Sequence, residues 1–183
     1  GQDIGVTLHH PHGQIYAYPY LAPTAAKMAG QAVAHLAKTG RPLMQDILDF
    51  ERNEGTRMVR QGEHFSVFVP YAARWPLEAH LVPHRHVPDL AALNDGEKAE
   101  LAVMYRDLLR GVDALYDTPT PYIAAWHQAP LEAEAREAAR LHLQLTSPRR
   151  AAGKLKFLAG SEAAMGAFIN DVPAEQAAAR LRE

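Results

Sequence analysis

Hydrophobic and polar residues change their repeat several times along the chain, and each change marks an element. Leu141, Leu143 and Leu145 alternate with His142, Gln144 and Thr146. That two-residue period predicts a β-strand with one apolar and one polar face. Between 89 and 116 the spacing lengthens, and Leu101, Met104, Tyr105, Leu108, Val112 and Leu115 recur at helical intervals, with Asn94 or Asp95 suited to the start. Another helical stretch opens at Thr24, a capping residue, and carries Met28, Val33 and Leu36 to about Lys38. Gly40 supplies its stop, and Pro42 suits the first turn of a further helix reaching about Asn53. Segments 57–60 and 65–70 flank Gln61-Gly62 and predict a hairpin. Extended runs fall at 4–8, 14–18, 77–82, 122–126 and 154–158. Residues 132–139 are charged and Ala-rich, helix or loop, and two helices at 161–168 and 174–181 close the chain. The sum is an α+β fold built on a mainly antiparallel sheet.

Composition narrows what such a fold can do. The chain has 183 residues, of which 48% are hydrophobic and 22% charged, so a core can form in an ordinary soluble background. A formal charge of -2 lacks the basic footprint of a nucleic-acid binder. An anionic ligand must then be held by a few placed groups. Cysteine is absent, which excludes disulfides and limits metal ligands from this chain to His and carboxylates. No apolar run approaches the roughly 20 residues that span a bilayer. The expectation is a cytoplasmic protein without membrane contact. The chain opens on Gly1 and reaches a motif within a dozen residues, which suggests a part of a longer or split protein.

That motif is His9-His10-Pro11-His12-Gly13-Gln14. On an extended backbone His10, His12 and Gln14 share one side. Pro11 stiffens the chain between the two imidazoles, and Gly13 lets a ligand approach the main chain. A neutral imidazole, with a pKa of about 6.5, is a good nucleophile toward phosphorus. Gln14 can donate to a phosphate oxygen and cannot activate water, which favours transfer over hydrolysis. Histidines so crowded also occur in tags and surface loops, but the flanking apolar residues argue against a tag.

Residues 10–16, HPHGQIY, resemble the active-site motif of galactose-1-phosphate uridylyltransferases, in the histidine-triad superfamily. Segment 69–87, VPYAARWPLEAHLVPHRHV, resembles the family's aromatic strand and Pro-basic-His turn; 126–130, 141–145 and Lys156-Phe157 with Gly160 and Glu162 resemble later blocks. The resemblance implies a histidine-triad-like fold of two halves. Residues 1–40 would be the end of the N-terminal half with a connecting helix, and 41–183 the C-terminal half. It implies that His12 takes the UMP group of UDP-glucose and passes it to galactose-1-phosphate. Gln14 would bind the transferred phosphoryl group, Gly5 and Thr7 the nucleotide, and Lys156, Phe157 and Glu162 the hexose phosphate or nucleotide. Ser161 stands where relatives often have Tyr, and Phe168 where some have Gln, so this chain departs there. Implied partners are the N-terminal half of the enzyme and a second copy in a homodimer.

Two metal sites are implied as well, one of them zinc. His10 would be one zinc ligand, its companions outside this chain. His127 and His142 would belong to the second site, whose other two positions hold Met28 and Gln144 instead of Glu and His. The competing readings are another histidine-triad-type nucleotidyltransferase or phosphorylase, a hydrolase, and an inactive half-length binding or dimerisation module. His80, His84 and His86 suit a strand end and turn, with a phosphate or metal role as the alternative, and His35 and His64 the surface. Arg149 and Arg150 suit solvent or a subunit interface, with phosphate binding as the sharper reading, and Trp75 and Trp126 a core or interface.

Overall fold

A computed structural model describes residues 2–5 and 13–182. Its main sheet has five antiparallel strands in the order β1-β2-β3-β5-β4. These are β1 (Met58–Gln61), β2 (Phe65–Phe68), β3 (Leu77–Pro83), β4 (Ile123–His127) and β5 (His142–Ser147). Six helices accompany them among the described residues: α1 (Pro23–Thr39), α2 (Leu43–Glu54), α3 (Asp95–Ala114), α4 (Ala133–Ala138), α5 (Gly160–Met165) and α6 (Ala174–Arg182). A two-stranded ribbon, β6 (Arg149–Ala151) with β7 (Lys154–Leu155), leaves the end of β5.

Alternation along each strand sorts the sheet into two faces. Phe65, Val67, Leu77, Ala79, Leu81, Leu141, Leu143 and Leu145 point to the main core. There they meet Met104, Leu108 and Val112 of α3, and Ala174, Ala177, Ala178 and Leu181 of α6. Burying a Leu or Phe side chain fully contributes about 1.5–3 kcal/mol, so this face holds the domain together. On the opposite face Phe68 and Val82 form a smaller cluster with Leu48 of α2 and Met58. The same face carries Glu78 and His80 of β3, His127 of β4, and His142 and Gln144 of β5.

Local chemistry explains the element ends. Asn94 caps α3: its side chain accepts from the Glu97 N–H at 2.9 Å, and Glu97 accepts from the Asn94 N–H at 2.8 Å. Gly40 and Gly55 end α1 and α2 in the left-handed conformation, with φ of 71° and 70°. In the β1–β2 hairpin Gly62 leaves room for the Glu100 carboxylate, with which a Cβ would collide. Glu100 accepts from the backbone N–H groups of His64 and Phe65 and so ties α3 to the turn.

Most elements fall where the hydrophobic pattern puts them, with some differences. Residues 2–4 form a 3-10 turn rather than the start of a strand, and 13–18 carry no regular secondary structure. Pro23, not Thr24, opens α1, and Ala22 at its N-cap makes no side-chain bond. Met28, Val33 and Leu36 are half-buried, while Ala29 and Ala32 are the buried residues of that helix. The extended run after 154 stops at Leu155 because its partner, β6, is only three residues long.

Candidate functional site

Of the N-terminal motif, Thr7, His9, His10 and His12 lie outside the described residues. Gly5 has φ of 76°, a left-handed turn natural to glycine. The turn before it is tied to the β6–β7 ribbon, because Arg149 donates to Asp3 at 3.4 Å. Arg149 is buried, stacks over Tyr116 and also donates to Thr118 and to the Pro119 carbonyl. The same ribbon leads into Lys156, so the chain segment holding Gly5 and the loop after β7 share one support. Gln14 is exposed and its side-chain oxygen accepts from the Tyr16 hydroxyl. Tyr16, Tyr18 and Tyr20 follow as a ladder of exposed rings, with centroids 6.1 Å and 5.4 Å apart.

The loop from 156 to 170 is built around one ion pair. Lys156 Nζ donates to Glu162 Oε1 at 2.7 Å, to the Arg74 carbonyl at 2.9 Å and to the Ile169 carbonyl. Three acceptors match the three N–H groups of an ammonium. Its charge also sits over Trp75 and Phe168, 5.6 Å and 6.0 Å from their ring centroids. Glu162 accepts further from the Ala159 and Ile169 N–H groups. The Lys156 hydrogen bond and then those backbone N–H groups hold its carboxyl down at about 2. This bracing leaves Phe157 and Ser161 exposed on the outside of the loop. Phe168 packs against Trp75 and under Arg74.

The polar face of the sheet gathers three histidines. Register pairs His127 with His142 and His80 with Gln144. The His127 and His142 rings stack at 4.8 Å and 14°, and His80 lies 6.0 Å from His142. His142 donates from Nδ1 to the Arg140 carbonyl at 3.0 Å, and burial drives its imidazole down to about 3. Burial lowers His127 too. Gln144 Nε2 donates to Glu78 Oε1 at 2.7 Å, while its Oε1 lies 3.3 Å from His127 Nε2. His80 Nε2 meets Glu78 Oε1 at 3.2 Å, and Glu78 Oε2 accepts from the Arg74 and Trp75 N–H groups. Burial pushes Glu78 up, but the His80 hydrogen bond and charge, with the other donors, outweigh it and leave the carboxyl below its ordinary value.

These donors do not suit a metal ion. The described residues contain no group of three or more His, Cys, Asp or Glu placed to hold one. Glu78 is already committed to four hydrogen bonds, and Gln144 and Met28 are poor metal ligands.

Three contributors escape a sequence reading. Glu78 is signalled only by its alternation with His80 in 77–81. Arg140 is 3% exposed, donates to Gln45 and the His84 carbonyl, and is lowered to about 10 by burial. Arg149 is a buried brace rather than a solvent or interface residue. His80 sits inside β3 rather than at its end. His84 does serve the turn: its Nδ1 donates to the Glu63 carbonyl and its Nε2 accepts from the Ser66 hydroxyl.

The α+β fold described above is shared with a class of nucleotidyl-transferring enzymes, the uridylyltransferases. A solved uridylyltransferase matches it with a TM-score of 0.91 at 36% identity, covering 100% of this chain and 57% of that one. The family described as galactose-1-phosphate uridyl transferase, C-terminal domain, matches residues 28–183, and the chain belongs to that family. A galactose-1-phosphate uridylyltransferase of Streptomyces lividans is 42% identical over 198 aligned residues, covering 100% of this chain and 54% of the relative. One from Thermotoga maritima is 36% identical, covering 100% and 57%. The chain spans about half the length of the curated relatives it matches. No helix among the described residues is long and apolar enough to cross a membrane.

Proposed function

We propose that this chain is the C-terminal part of a galactose-1-phosphate uridylyltransferase that works by a covalent UMP-histidine intermediate. What carries the reading is the match along the whole chain, motif segment included, to proteins of that name at 36–42% identity. In the first step a ring nitrogen of His12 attacks the α-phosphorus of UDP-glucose. The bond from that phosphorus to the bridging oxygen breaks, and glucose-1-phosphate leaves with the electron pair. In the second step a phosphate oxygen of galactose-1-phosphate attacks the same phosphorus. The N–P bond breaks, UDP-galactose forms and His12 is regenerated. Positioning and charge stabilisation carry such a displacement.

Gln14 is assigned to the phosphoryl oxygens, and Gly5 and Thr7 to the nucleotide. Phe157 is assigned to the hexose phosphate or nucleotide, on a loop whose shape Lys156 and Glu162 maintain, while at Ser161 the chain departs from its relatives and no sugar contact is assigned. His10 is assigned as a single zinc ligand whose companions come from the N-terminal half, and no step of the transfer runs through that ion. The proposed assembly is a cytoplasmic homodimer that includes the N-terminal half.

The test combines this chain with the N-terminal half of the Streptomyces lividans relative. UDP-glucose labelled in its uridylyl group should leave acid-labile label on the chain, and galactose-1-phosphate should release it as UDP-galactose. His12→Ala should take no label. Label retained by that variant overturns the reading.

A further inference from the structure

The family resemblance places metal ligands at His127 and His142, and the geometry of their surroundings disagrees. We infer that a hydrogen-bond relay from Glu78 through Gln144 to His127 takes the place of a metal ion, so that this sheet face is held without one.

The relay has a fixed direction. Glu78 is a carboxylate and accepts only, so the nearer end of Gln144 must be its amide nitrogen, 2.7 Å away. That leaves the Gln144 carbonyl oxygen toward His127 at 3.3 Å. A carbonyl also only accepts, so His127 Nε2 carries the hydrogen. That nitrogen then has no lone pair to give a metal, and Nδ1 is the one nitrogen of the ring that keeps one. The amide cannot flip to release Nε2 without setting its oxygen against the Glu78 carboxylate.

Glu78 itself has no oxygen to spare. Oε1 receives His80 and Gln144, and Oε2 receives the Arg74 and Trp75 N–H groups. His142 is tied through Nδ1 to the Arg140 carbonyl, which leaves its Nε2 as the lone-pair nitrogen. That lone pair lies in the plane of the ring. The His127 ring is stacked 4.8 Å away at only 14°.

The relay does mechanically what a metal would do. Glu78 is on β3, Gln144 on β5 and His127 on β4, so it crosses three adjacent strands on the face away from the main core. Hydrogen bonds to a buried charge are among the stronger ones.

The inference is independent of the transfer chemistry, and its test measures metal and stability in the full chain. Protein from zinc- and iron-supplemented growth is desalted, and bound metal is counted beside His142→Ala. Any binding at His10 is common to both. The metal contents should be equal, and a chelator should shift the Tm of the two proteins alike. Gln144→Leu, which keeps the volume and removes the relay, should lower Tm by roughly 5 °C. A stoichiometric ion in the wild-type chain that His142→Ala loses would overturn the inference. So would a chelator-induced fall in Tm that this variant abolishes, or an unchanged Tm in Gln144→Leu. If His142→Ala does not fold, His127→Gln takes its place in the same comparison.

Discussion

Lys156 Nζ lies 2.7 Å from Glu162 Oε1, and the two side chains retain only 9% and 2% of their exposure. The pair closes a loop from both sides: Lys156 bonds the Arg74 and Ile169 carbonyls, and Glu162 the Ala159 and Ile169 N–H groups. Removing one partner strands the other charge, a far greater loss than removing both. Lys156→Met should therefore lower Tm by roughly 5 °C or more, and Lys156→Met with Glu162→Leu should recover part of that loss. Thermal melts of the two variants decide it. A double variant less stable than the single one would show that the pair does not brace the loop.

The same carboxylate gives a pH dependence with a defined sign. Glu162 titrates at about 2 in the folded protein against an ordinary 4.5. The unfolded chain therefore binds the proton first as acid is added. The stability Glu162 contributes is fully present above its ordinary value and is lost as pH falls from there toward about 2. Melts of the wild type and Glu162→Gln should differ most near neutrality and converge in that acid window. A difference that stays constant down to the bottom of the window would mean the carboxylate charge is not what matters.

The alternation of 141–146 was enough to place β5 and to assign Leu141, Leu143 and Leu145 to the core, because burial on a strand follows its two-residue pleat. The spacing of α3 was equally readable. What the sequence could not supply was partnership. Glu78 and Gln144 are 66 residues apart, and Lys156 meets a carbonyl 82 residues away. Such pairs are chosen by sheet register and loop path, which local periodicity does not encode. His80 looked like a strand-end residue because its polar neighbours lie on other strands. Arg149 looked exposed for the same reason, since its acceptors sit in the 116–120 loop and at Asp3. The role proposed for His12 rests on its motif and the family resemblance, and the residue lies outside the described part of the chain.

Asn94 and Glu97 form the capping box of α3, and Glu97 also accepts from Arg85 at 2.8 Å and 2.6 Å. Asn94→Ala removes one cap bond and should cost about 1 kcal/mol in chemical denaturation. Glu97→Ala loses the other cap bond together with the Arg85 pair and should cost more. The comparison separates capping from ion pairing: equal losses in the two variants would mean that the Arg85 contact contributes nothing.

Gly62 provides a sharper test of long-range fit. A Cβ there would collide with the Glu100 carboxylate, the group that receives the His64 and Phe65 N–H groups at 3.0–3.2 Å. The far end of a glutamate can move, but here moving it leaves two backbone donors without their acceptor, at about 1–3 kcal/mol for a buried group. Gly62→Ala should therefore destabilise by that order. Once Glu100→Ala has already removed the carboxylate, the added methyl meets nothing comparable and its cost should nearly vanish. A double-mutant cycle by urea denaturation measures this coupling directly. Additive losses would mean that the glycine is needed for the backbone of the turn, and that the space occupied by Glu100 is incidental.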